Sequence, residues 1–246
     1  MNLMQLCENL YKLSGVDYRT NSNSYVVKCG DELVMIDPGF SEQQWNTIMN
    51  GLKEWGLDSY PITHTFLTHS HFDHSGNCFR VKELGSKLYV GPEDADEIEN
   101  GFPPIIEKLF PGAVFTPTKV DVVVKDKDVF DINGTKFEII HIPGHSPGSV
   151  AIKVYLKDKV AIALGDFLEI QPDPPHDDIT IGLPFMPPGS DVKGYVNSLR
   201  RMNEEVADIL LPGHYYVSFG KEDCANVLKV ALDTALVELK ERLEEE

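Results

Sequence analysis

Three histidines and an aspartate crowd into six consecutive residues, as His69, His71, Asp73 and His74 in Thr68-His69-Ser70-His71-Phe72-Asp73-His74. Imidazoles with a carboxylate are the donor set for a zinc-like or iron-like ion. Three more donors each follow an apolar run and a glycine: His145 in Pro143-Gly144-His145-Ser146-Pro147-Gly148, Asp166 in Leu164-Gly165-Asp166, and His214 in Leu211-Pro212-Gly213-His214. The glycines allow a sharp turn beside the donor and the prolines fix it. Seven donors are too many for one tetrahedral ion. They suit two ions about 3.5–4 Å apart that share a bridging carboxylate, as in two-metal hydrolytic sites. His64 and His141 lie inside strand-like runs and read as satisfied core residues. No P-loop, dinucleotide Gly-x-Gly-x-x-Gly or His-Glu-x-x-His competes with this reading.

Such donors need rigid supports, and the pattern supplies strands that end where each donor begins. Residues 24–28 and 33–37 read as strands joined by a hairpin at Gly30-Asp31, the second ending at Asp37-Pro38-Gly39. Ser41 and Gln44 form a capping box, and Trp45, Ile48, Met49, Leu52 and Trp55 then recur on one helical face. A strand over 62–67 leads into the histidine-rich loop, a helix over 76–84 follows, and a strand at 87–90 precedes short acidic helices to about residue 110. Apolar runs at 121–124, 128–131, 135–141, 149–155 and 160–164 read as strands. A helix over 191–206, a strand over 208–211 and an amphipathic helix from 221 complete the pattern. Each half thus reads as strands followed by helix, with sheets inside and helices outside.

With 246 residues, 39 acidic against 22 basic, the chain carries a formal charge of -17, which repels nucleic acid and anionic membranes. No apolar run approaches the roughly 18 residues that span a bilayer, and the first residues lack signal-peptide features. Cys7, Cys29, Cys78 and Cys224 are scattered, as expected of reduced thiols in the cytoplasm.

At the quoted motifs the sequence resembles the metallo-β-lactamase superfamily, and within it the glyoxalase-II-like and lactonase-like hydrolases. Asn23-Ser24-Tyr25, Asp37-Pro38-Gly39, the His-x-His-x-Asp-His loop, Pro-Gly-His-Ser-Pro-Gly, Gly165-Asp166 and Pro212-Gly213-His214 occur in the family's order. The resemblance implies an α/β fold, a four-layer αββα sandwich of two similar halves, about 1–117 and 118–246, forming a single domain over 1–246. It assigns His69, His71 and His145 to one metal, Asp73, His74 and His214 to the other, and Asp166 as the bridge. Asp37 is expected to orient a ligand imidazole. Two divalent ions are expected, zinc first, with iron or manganese as alternatives. The C-terminal region lacks the basic residues with which hydroxyacylglutathione hydrolases hold glutathione, the long arm of tRNA-processing members is absent, and Asp166 replaces the cysteine of the most familiar zinc β-lactamases.

Charge arithmetic suits hydrolysis, since two divalent ions outweigh Asp73, Asp166 and a bridging hydroxide. The expected reaction is attack by that hydroxide on a small ester, thioester or lactone, with Asp73 and Asp166 as the catalytic carboxylates. Alternatives are a phosphodiesterase of a small substrate and a mononuclear iron persulfide dioxygenase using His69, His145 and Asp166. Residues 171–188, with six prolines, read as either a pocket wall or a plain connecting loop. Pocket candidates are Phe72, Phe167, His176, Phe185, Tyr195, Tyr215 and Tyr216. The expected partner is a small-molecule substrate, with no nucleic acid and no membrane, and the last helix could pair two chains as a homodimer.

Overall fold

A computed structural model describes residues 4–15, 22–101, 110–173, 178–186 and 190–245. Two sheets form the interior. The first takes its strands from residues 4–123 in the order β1(Met4–Cys7), β2(Leu10–Lys12), β3(Tyr25–Cys29), β4(Glu32–Ile36), β5(Ile62–Phe66), β6(Lys87–Val90), β7(Val122–Val123). The second takes β8(Val129–Ile132), β9(Thr135–His141), β10(Val150–Tyr155), β11(Val160–Gly165), β14(Ile209–Pro212) and β15(Ser218–Phe219), with β14 between β11 and β15.

The two sheets face each other through one apolar layer that includes Val27, Val34 and Phe66 from the first and Phe137, Ile152 and Ala163 from the second. Their outer faces are covered by helices. On the first sheet lie α1(Glu42–Glu54), α2(Phe72–Ser75), α3(Cys78–Glu83) and α4(Pro92–Asn100). On the second lie α5(Val192–Met202) and α6(Lys221–Glu238), followed by α7(Lys240–Glu245). The layers are therefore αββα, as expected. Ser41 caps α1 by accepting from the Gln44 amide, and the predicted stripe residues Ile48 and Leu52 are buried beneath it.

Three local expectations change. The helix expected over 76–84 is α3, and a separate short one, α2, precedes it because the histidine-rich loop begins to coil at Phe72. Part of the proline-rich stretch, expected as loop, pairs antiparallel as β12(Glu169–Asp173) and β13(Asp178–Gly182). Proline is tolerated there because the hairpin is a sheet of only two strands, whose outer edge on β12 is bridged at Ile170, to Tyr215, and not at Pro172. The helix expected to reach 206 ends at Met202, where the Asn203 side chain bonds back to the Leu199 carbonyl. Among the described residues no helix is long and apolar enough to cross a membrane.

Candidate metal centre

All four donor segments lie at one edge of the sandwich. Strand β5 runs parallel to β4 and β6, and β11 parallel to β14, so both sheets present carboxyl ends there. Side chains placed just beyond parallel strand ends can converge in a crevice, the usual site in open α/β sheets. A backbone bond from Val150 N–H to the Thr68 carbonyl, 2.9 Å, joins the sheets at this edge.

Two glycines let the loops close in. Gly165 is left-handed, φ 53°, and a Cβ on it would lie 2.4 Å from Thr68 Oγ1. A Cβ on Gly213 would lie 2.2 Å from Asp166 Oδ1.

The seven sequence-predicted donors come together in two groups that share Asp166: His69, His71, His145 and Asp166, and Asp73, His74, Asp166 and His214. Donor atoms within each group lie within 4.8 Å of one another. His74 Nε2 is 3.0 Å from Asp166 Oδ1, and His214 Nε2 is 3.1 Å from Asp73 Oδ2 and 3.3 Å from Asp166 Oδ2. His145 Nε2 and His69 Nε2 stand 3.7 and 3.9 Å from Asp166 Oδ2. Neighbouring vertices of a tetrahedron with arms of about 2.0–2.1 Å are about 3.3 Å apart, so these spacings suit donors around an ion.

Hydrogen bonding points the same way. The buried atoms His69 Nε2, His74 Nε2, both ring nitrogens of His145, and Asp166 Oδ1 make no hydrogen bond among the described residues, although His74 Nε2 and Asp166 Oδ1 are at contact distance. Unsatisfied buried polar atoms are costly, and a cluster of them aimed at one point fits a cation.

Burial presses every imidazole toward its neutral form. It prevails at His69, at His71, which is pulled down to about 3, and at His145. At His74 and His214 the Asp166 and Asp73 carboxylates outweigh burial, raising His74 well above its usual range and His214 to about 10. Burial likewise opposes ionisation of Asp73 and Asp166, but His74 and His214 hold both carboxyls below the usual range. Three imidazoles thus favour the neutral form that can act as a donor, while His74 and His214 are held against the Asp73 and Asp166 carboxylates.

Asp37 lies behind His74: its Oδ2 is 2.9 Å from His74 Nδ1 and accepts from the Thr68 hydroxyl at 2.7 Å, while Oδ1 accepts from the Thr68 amide at 2.8 Å. Other supports were not legible in the sequence. The Ser22 hydroxyl donates to the Asp73 carbonyl at 2.6 Å, the Asn23 amide and the Tyr25 hydroxyl to the Pro212 carbonyl, and Lys12 Nζ to the Tyr215 carbonyl at 2.8 Å. Asp94 of α4 reaches two of the donor loops. Nothing in spacing or motif distinguishes Lys12, Ser22 or Asp94 from ordinary polar positions, and Asn23 and Tyr25, though part of a family motif, carried no sign of this supporting role.

The pocket candidates scatter. Phe167 and Tyr195 are core residues, the tyrosine hydroxyl donating to the Phe167 carbonyl, and Phe72 packs edge-on against Phe40, Phe110 and Phe115. Tyr215 is left-handed beside His214, Tyr216 and Phe185 are exposed, and His176 lies outside the described residues. His64 and His141 stay apart from the cluster, bonded to Thr63 and to the Pro147 carbonyl.

The family model of the metallo-beta-lactamase superfamily matches residues 17–214. A probable metallo-hydrolase of Methanocaldococcus jannaschii is 28% identical over 209 residues, covering 83% of this chain and 92% of its own. The atrochrysone carboxyl ACP thioesterase of a Cryptosporiopsis species is 28% identical over 145 residues, 59% of this chain and 38% of its own. A subclass B3 metallo-beta-lactamase of Bradyrhizobium japonicum shares the fold, with a TM-score of 0.76 at 22% identity over 100% of this chain and 94% of that one. The chain belongs to the metallo-beta-lactamase superfamily and has its fold. It is a metallo-hydrolase of that superfamily, with His/Asp clusters able to hold metal.

Proposed function

We propose that the chain is a binuclear metal-dependent hydrolase of a small ester, thioester or lactone. The observation that carries this reading is Asp166, shared by two donor groups of four. His69, His71, His145 and Asp166 would hold one ion and Asp73, His74, His214 and Asp166 the other. The nitrogen and oxygen donors suit zinc first, with iron or manganese next. Two such ions would lower the pKa of a bound water toward neutral pH and polarise a carbonyl oxygen.

The chain's own residues do the rest. Asp73 and Asp166 supply two negative charges against the four positive charges of the ions, so an oxyanion developing on the substrate remains favoured. Asp73, with 12% of its side chain exposed, would take the proton of the attacking hydroxide and pass it to the departing alkoxide or thiolate. Similarity to an acyl-carrier thioesterase supports an acyl substrate, and four free cysteines suit a reducing cytoplasm. The second donor group favours this reading over the mononuclear dioxygenase.

Metal analysis with a panel of thioesters, lactones, phosphodiesters and persulfides tests it. Two divalent ions per chain and acyl hydrolysis are expected, with turnover lost in His71→Ala and Asp166→Asn while circular dichroism stays that of the parent. One iron per chain with oxygen consumed on a persulfide would overturn the reading.

A further inference from the structure

We propose that Asp94 is a positioning residue for one half of the metal centre, locking the His69-Ser70-His71 turn to the His145 loop independently of the residues that hold the other half. The inference rests on the binuclear reading above.

Asp94 is in the first turn of α4 and fully buried. Its Oδ2 accepts from the Ser70 amide at 2.7 Å and from the Ser146 hydroxyl at 2.7 Å, and its Oδ1 accepts from the Gly148 amide at 2.8 Å. Ser70 lies between His69 and His71, and Ser146 directly follows His145. One carboxylate thus fixes the backbone beside three of the four donors in the first group. The remaining polar groups of Ser70 are also tied, its hydroxyl donating to Glu97 of the same helix and its carbonyl accepting from Ser75 at 2.6 Å.

The approach is built into the packing. A Cβ on Gly91 would lie 1.9 Å from the Gly148 carbonyl oxygen, and one on Gly148 would lie 2.6 Å from Asp94. Both positions must be bare for the helix start to sit on the loop. Burial pushes the Asp94 carboxyl above its usual range against the hydrogen bonds that favour its ionised form. A buried carboxylate is an expensive way to make a loop contact, and a residue kept for stability alone would be better replaced by an apolar one. What the carboxylate offers is several charge-assisted acceptor bonds converging from two loops.

The second donor group has separate supports. Asp37 holds His74, Ser22 holds the Asp73 backbone, and Asn23 and Tyr25 hold Pro212 beside the His214 turn. Asp37 also reaches the first group through Thr68, whose hydroxyl lies 3.1 Å from His69 Nδ1, but none of these bonds involves Asp94, so loss of Asp94 should fall on the first half alone.

The test is titration of metal-free protein with cobalt(II), read by its visible spectrum, alongside thermal unfolding. Asp94→Asn keeps the volume but turns an amide N–H toward a donor. Two binding steps are expected in the parent. In Asp94→Asn the step that disappears in His71→Ala should weaken about 10- to 100-fold, with the other step within about twofold of the parent.

Unchanged affinities, equal weakening of both steps, or weakening of the step that survives in His71→Ala would each overturn the proposal. If Asp94→Asn does not fold, Ser146→Ala removes one of the bonds and leaves the carboxylate. It should weaken the same step by about 2- to 10-fold, and an unchanged titration would overturn the proposal. A parent chain that takes up fewer than two ions overturns the binuclear reading itself, before any substitution is made.

Discussion

At Asp37 the backbone is left-handed, φ 54°, while the buried side chain holds the Thr68 amide, the Thr68 hydroxyl and His74 Nδ1. Asparagine and aspartate tolerate this conformation far better than alanine, for which it costs about 1–2 kcal/mol. Two substitutions therefore separate the backbone role from the carboxylate role. Asp37→Asn keeps the turn and loses the charge that fixes the imidazole, so affinity for the ion on the His74 side should fall about 10- to 100-fold in a chelator competition. Asp37→Ala should lose that affinity and also unfold at lower urea, because it adds the strain and leaves the buried Thr68 amide unpaired, about 1–3 kcal/mol. Equal urea midpoints for the two variants would show that the left-handed turn plays no part.

Helix α5 braces the second sheet's end of the centre. The Tyr195 hydroxyl donates to the Phe167 carbonyl, one residue past Asp166, at 2.7 Å, and the Ser198 hydroxyl donates to the Pro143 carbonyl, two residues before His145, at 2.9 Å. Tyr195→Phe removes one buried hydrogen bond and no apolar contact. It should cost about 1 kcal/mol in urea unfolding and leave metal stoichiometry unchanged, whereas a lost ion would mean that the tyrosine reaches the centre directly. The contrast between Tyr195 and the histidines shows what could be read from the sequence. Strands and the donors at their ends were legible because short apolar runs and glycine-flanked histidines and aspartates each leave a local mark. Among the supports only Asp37 and the Asn23-Ser24-Tyr25 strand carried a mark, as family motifs, and the others left none. An aspartate in the first turn of a helix, such as Asp94, reads as favourable charge at the helix start, and only the fold brings α4 over the loop after β9. Aromatics near ligands in sequence misled for a related reason: Phe167 and Tyr195 turn into the core beneath the second sheet, and sequence proximity carries no direction.

The sheets are tied to each other across the whole molecule. Beyond the shared apolar layer, Val150 N–H bonds to the Thr68 carbonyl, Asn23 N–H to the Gly213 carbonyl at 2.6 Å, and Lys12 Nζ to the Tyr215 carbonyl. Each of the last two links joins residues some 190 or more positions apart, and all three cross at the donor edge, where Asp166 of the second sheet also meets His69 and His74 of the first. We propose that halves 1–117 and 118–246 unfold together as one domain, since neither sheet can expose its inner face without breaking the donor cluster. The fluorescence of Trp45 and Trp55, both in the first half, should then follow the same urea transition as backbone circular dichroism. Ions bound only by the folded chain add stability by mass action, about 4 kcal/mol at a thousandfold excess over the dissociation constant. For a chain of this size that is a rise of about 10 °C in midpoint, lost on chelation. Because the candidate donors come from both halves, chelation should shift the fluorescence and dichroism transitions by the same amount. A shift confined to one probe would mean that the halves unfold separately.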